Sequence, residues 1–153
     1  MKFEKFLKSV GTNGEVIERN EAEKWLVCGG VGMVIPRGVD NLLGKKWDQD
    51  YASIVDVIAN AELDDRLELK EAILLDPAGN AKSIYRVFES EFGERVAIMN
   101  ADYGLLEKKD LLGYGEIELS KTDEDEEIQI VKYVLVYDHT GNIQGFITGS
   151  DKF

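Results

Sequence analysis

Apolar positions recur along this chain at two spacings. Near the start, Phe3, Phe6, Leu7 and Val10 fall at i, i+3, i+4 and i+7, the period of one helix face, and Gly11 supplies a stop. Residues 2 to 10 are therefore predicted as a short amphipathic helix with Lys2, Lys5 and Lys8 on its other side. The same spacing returns in Tyr51, Ile54, Val55 and Ile58 and predicts a helix over residues 50 to 61. Gly11-Thr12-Asn13-Gly14 reads as a turn and Glu15 to Glu18 as a short strand. After Pro36-Arg37-Gly38, the stretch from Asp40 to Asp50 reads as a loop carrying Lys45, Lys46 and Trp47.

Elsewhere the pattern is that of strands. Trp25-Leu26-Val27-Cys28 and Val31 to Ile35 flank Gly29-Gly30, which admits two readings. A dinucleotide loop needs G-x-G-x-x-G between a strand and a helix, so that helical N–H groups face the pyrophosphate. Here Ile35 stands where the third glycine belongs, Pro36 would break the first turns of that helix, and the G-K-S/T ending of a P-loop is missing. Two strands joined by residues that tolerate positive φ are the better fit, and Cys28 then serves as a small buried hydrophobe.

Ile73 to Asn80 and Leu135 to Asn142 share a second signature, apolar residues running into D-x-x-G-N, which suits a type I turn closed by a left-handed glycine. The later copy lies between Ile130–Tyr137 and Ile143–Ile147 and predicts a hairpin. Residues 82 to 92 fit two patterns: Ile84, Val87, Phe88 and Phe92 share a helical face, yet Ile84 to Phe88 is rich in strand formers and a further strand begins around Glu94 to Met99. The strand reading is favoured. Gly115 to Leu119 adds another alternating strand. No linker interrupts the pattern, so residues 1 to 153 read as a single α+β domain dominated by antiparallel sheet, with two or three short helices.

At 153 residues the chain is long enough to bury roughly two thirds of its unfolded surface, so it needs no metal or disulfide to fold. Its hydrophobic content of 44% and charged content of 31% are those of a soluble globular protein. No apolar run is long enough to cross a bilayer and the N-terminus lacks the pattern of a signal peptide, from which a cytoplasmic location is expected. One cysteine and one histidine cannot furnish a structural zinc site. The net charge of −12 opposes nonspecific attraction to nucleic acid or anionic lipid, so DNA contact would require a local basic stripe.

Candidate catalytic groups are few. His139 neighbours Asp138 but falls within a predicted turn, where it reads as solvated, and no nucleophile elbow accompanies it. Asp123 to Glu127 resembles a calcium loop only in acidity, because Ile128 stands where the glycine of an EF-hand belongs. Paired carboxylates such as Asp64-Asp65 carry no signal at this composition. No catalytic residue, metal ligand or cofactor is assigned.

Tyr133 to Ile147, together with Gly93 to Leu106, resembles the closing strands of small phage-encoded proteins with a DNA-clamp-like fold, and Trp25 to Ile35 is similar to their first hairpin. The resemblance implies a noncatalytic interaction protein of phage or prophage type, self-associating or tethering a protein partner, with a helix layer facing DNA. Under that reading Lys2, Lys5, Lys8, Arg37, Lys45 and Lys46 would meet phosphates. Asp48, Asp50 and Asp56 on or beside the second helix oppose it. Two other classes stay open: an acidic protein that mimics nucleic acid or occupies a basic partner, and a small metal-dependent enzyme using Asp138 or His139.

Overall fold

The computed structural model describes residues 1–11, 13–20, 22–37, 39, 45–46, 49–75, 83–120 and 128–150. In chain order the elements are α1 (Phe3–Val10), β1 (Glu15–Asn20), β2 (Glu23–Cys28), β3 (Val31–Val34), β4 (Lys45–Lys46), α2 (Gln49–Ala59), β5 (Leu67–Leu75), β6 (Ser83–Ser90), β7 (Arg95–Met99), α3 (Asn100–Tyr103), β8 (Leu111–Ser120), β9 (Ile128–Tyr137) and β10 (Ile143–Thr148). Seven strands form one sheet in the order β4-β1-β2-β3-β10-β9-β8, and β5-β6-β7 form a second. Every pairing is antiparallel except β4 with β1.

Gly29 and Gly30 occupy left-handed backbone, with φ of 59° and 80°, and join β2 to β3 with Cys28 opposite Val31. Two consecutive positive-φ residues match the right-handed twist of the flanking strands, which is why the glycines reverse the chain here. Val31 to Val34 continue as a strand, so no helix begins at Gly32. The second glycine signature behaves alike: Asp138 to Asn142 link β9 to β10, with Gly141 at φ 86°.

The central strands are apolar at nearly every position because both sheet faces are covered. Leu26, Val31, Met33, Val134, Val136 and Ile147 point to one face, where Phe6 and Val10 of α1 and Phe88, Val96 and Ile98 of the small sheet join them. Trp25, Val27, Tyr133, Leu135, Tyr137 and Phe146 point to the other, where Val55 and Ile58 of α2 pack. Alternate residues of one strand thus enter different cores, as the two-residue period requires. Trp25 is fully buried and places its indole N–H on Glu23 Oε1 at 3.0 Å. Arg19 of β1 ties down α2 through Asp56, with Nη2 3.1 Å from Oδ1.

Two expectations change, and one ambiguity resolves as favoured. Lys45 and Lys46 are backbone-paired with Glu15 and Val16 as β4 and so belong to a sheet edge within the expected loop. Cys28 is half-buried, because it ends β2 where the strand leaves the core. Residues 83 to 90 form the favoured strand: Tyr85, Val87 and Phe88 are buried, whereas Ile84 and Phe92, which would complete the helical face, are exposed. Asp76 to Asn80, Asp123 to Glu127 and Trp47 lie outside the described residues.

Candidate functional site

Lys2, Lys5 and Lys8 are exposed along α1, and Arg37 is exposed beyond β3. Lys2, Lys5, Pro36 and Val39 border one shallow surface depression, so the exit from β3 lies against the first turn of α1. Glu4 and Glu107 line the same depression and interrupt its positive charge. Lys5 donates to the Gly104 carbonyl at 3.2 Å. Among the described residues Lys2 and Lys8 make no ion pair, whereas Lys24, Arg95, Lys109 and Lys132 each meet a carboxylate. Lys45 and Lys46 are placed by their backbone on β4.

A second surface was not legible in the sequence. The turn between β6 and β7, Glu91-Phe92-Gly93-Glu94, holds Phe92 at 79% exposure. Its backbone is tightly tied. Ser90 N donates to the Glu94 carbonyl at 2.8 Å, Glu94 N to Ser90 Oγ at 2.9 Å, and Gly93 N to the Ser90 carbonyl at 3.1 Å. Glu91 N donates to the Arg66 carbonyl, and Gly93 takes φ 90°. The small hydroxyl of Ser90 fits because it is buried within the turn it caps.

Carboxylates gather beside this turn. Tyr114 donates to Glu116 at 2.8 Å, and Glu116 lies opposite Lys132, whose ammonium is 3.4 Å from Glu94. Burial, then the Glu116 hydrogen bond and charge, then Glu94 and Asp65 hold the Tyr114 phenol far above its ordinary range. Burial contributes most, and an ionised phenol there would also face the Glu116, Glu94 and Asp65 carboxylates. Glu118, further along β8, lies across from Ile130, which is half exposed. The surface therefore combines an aromatic tip, an apolar strand end and acidic groups, of which Glu94 is paired with Lys132 and Glu89 with Arg95.

A cavity of about 330 Å³ opens beside the Gly29–Gly30 turn, walled by Val27, Ile54, Val55, Tyr133 and Phe146. Among the described residues, Cys28, Thr148, Asn13 and Glu15 lie on its rim. Thr148 is committed to the Gly30 carbonyl, to which its hydroxyl donates at 2.6 Å.

Asp138 organises the second glycine turn. Its Oδ1 accepts from Thr140 Oγ1 at 2.6 Å and from the backbone N–H of Thr140 and Asn142, each at 2.9 Å. The Thr140 hydroxyl and the Asn142 amide lead in drawing its pKa below the usual carboxylate value. His139 is exposed at the tip, as expected for a turn residue. Among the described residues, no three groups of the metal-ligating types come together. No helix of the described residues is long and apolar enough to cross a membrane. Compared with known proteins, the chain matches no family model, no curated protein and no solved structure.

Proposed function

We propose that this chain is a noncatalytic interaction protein that engages a basic partner through the surface around the β6–β7 turn. The observation that carries the reading is Phe92, an almost fully exposed aromatic on a hydrogen-bonded turn with Glu91 and Glu94 at its sides. An exposed aromatic held in one place binds at low entropic cost, and surrounding carboxylates steer and select a cationic surface. An arginine from the partner can both pair with a carboxylate and stack on the ring.

The DNA-associated, clamp-like version draws support from a different observation: among the described residues, Lys2 before α1 and Lys8 on it make no ion pair. A shared helix layer facing DNA would set α1 and α2 side by side, whereas they pack on opposite faces of the large sheet. That version consequently rests on α1 alone, against the overall negative charge. Titration of the protein with a labelled arginine-rich peptide, and separately with labelled duplex DNA at low salt, separates the two readings. Peptide binding without DNA binding supports the acidic surface. DNA binding that weakens with salt and with charge removal at Lys2 and Lys8 supports the other.

A further inference from the structure

β8 ends the large sheet, and the first half of its outer edge already carries an extended segment. Arg66 bridges Gly113, and the Tyr114 N–H donates to the Asp65 carbonyl at 2.7 Å. Before Asp65 the chain turns back toward Tyr137, whose hydroxyl donates to the Ala61 carbonyl. Residues 115 to 120 continue in unbroken register with β9 and, among the described residues, pair with no other strand.

Tyr114 fixes the direction of the edge groups. Backbone N–H and C=O groups alternate sides along a strand, so those of Glu116 and Glu118 point to the same edge as the Tyr114 N–H. The side chains of Glu116 and Glu118 are exposed and share a sheet face with Lys132 and Ile130, their cross-strand partners. Lys132 reaches from that face to Glu94 and to the Arg95 carbonyl, joining the β8 edge to the β6–β7 turn. Ile117 and Val131 lie on the opposite face, beside the core under α2. An added strand would therefore meet carboxylates with one parity of its side chains and apolar surface with the other. Pairing this stretch with a second copy would set glutamates among glutamates, which like-charge neighbours disfavour. A segment alternating cationic and apolar residues suits both faces.

We propose that residues 115 to 120 are a strand-addition site, on which an extended basic segment of the partner pairs antiparallel with its cationic side chains opposite Glu116 and Glu118. The inference rests on the basic-partner reading above and adds the backbone geometry that holds that partner.

The test is fluorescence anisotropy with a labelled peptide alternating arginine and valine, unmodified, N-methylated at the arginines, or N-methylated at the valines. Opposite Glu116 and Glu118 the arginine N–H groups point at β8 and the valine N–H groups point away. Methylation at arginine should therefore weaken binding roughly tenfold or more, and methylation at valine should change it little. Glu118→Pro, which removes an outward N–H that β9 does not use, should weaken the peptide several-fold beyond Glu118→Gln. The Glu116 and Glu118 amides should exchange with deuterium rapidly in the free chain and slowly with peptide bound. Equal affinity of the two methylated peptides, slow exchange of these amides in the free chain, or self-association by light scattering would overturn the strand-addition site. Binding of the unmodified peptide in those cases would leave the basic-partner reading standing, whereas no binding of any arginine-rich peptide would overturn both.

Discussion

Gly32 and Phe146 face each other across the β3–β10 pair, and the aromatic ring fills the space where a Cβ on residue 32 would lie. That ring packs between Trp25, at 6.1 Å, and Tyr133, at 5.8 Å, which limits how far it can shift. The third glycine of the WLVCGGVG stretch is therefore a packing residue beneath an aromatic cluster. Gly32→Ala is expected to destabilise the fold by about 1–3 kcal/mol, as overpacking does, measured by urea unfolding. An unchanged midpoint would mean that the ring relaxes freely.

Gly29 differs from Gly32 in cause. Nothing lies within 4 Å of a Cβ built there, and its φ is 59°. The penalty for a side chain is purely conformational, so Gly29→Ala should cost about 1 kcal/mol and Gly29→Asn clearly less. Comparing the two variants in the same unfolding assay separates backbone strain from packing.

Alkaline pH should loosen the second core. Tyr137 is buried and donates to the Ala61 carbonyl at 2.9 Å. Burial first, then Asp64 and Glu62, push its pKa from 10.0 up to about 12. The folded phenol keeps its proton where the unfolded one loses it, so the contribution is complete below pH 10.0 and is lost as pH rises toward about 12. Tyr133, raised by burial, adds in the same direction. Urea midpoints should fall across this window, with tyrosinate absorbance appearing together with unfolding. Tyr137→Phe should flatten the decline and lose about 1 kcal/mol at neutral pH with its hydrogen bond.

At the β9–β10 turn, Asp138 and His139 should respond differently to substitution. Asp138→Ala removes the acceptor shared by Thr140 and Asn142 and should lower the urea midpoint, whereas His139→Ala, at the exposed tip, should leave it unchanged. The opposite ranking would point to a role for His139 that the turn does not explain.

Much of the sheet was legible because glycines mark its reversals and apolar runs mark strands covered on both sides. Trp25 to Val34 and Ile130 to Ile147 carry both signals. Residues 84 to 92 looked ambiguous for a physical reason: apolar side chains on both faces of β6 blur the two-residue period, and Phe92, which completed the apparent helical face, is exposed at the turn. In β5 the register shifts between Leu69 and Glu71, which moves later residues to the other parity and hides the alternation. Lys45–Lys46 joined the sheet through backbone pairing with β1, which side-chain pattern does not encode. The acidic surface joins Asp65, Glu94 and Glu116 from distant segments, and the cavity needs α2 set across from the Gly29–Gly30 turn. Neither arrangement has a local signature.

The function proposed above is tested by the affinity of a labelled arginine-rich peptide for the wild-type chain, for Phe92→Ser and for the Glu94→Gln/Glu116→Gln pair, measured by fluorescence anisotropy alongside Tm. Because Phe92 is 79% exposed, its replacement should leave Tm in place while weakening the peptide roughly tenfold or more, and the charge variant should weaken it and lessen its salt dependence. Equal affinity for wild type and Phe92→Ser would reduce the interaction to net charge and contradict a built recognition surface at the β6–β7 turn.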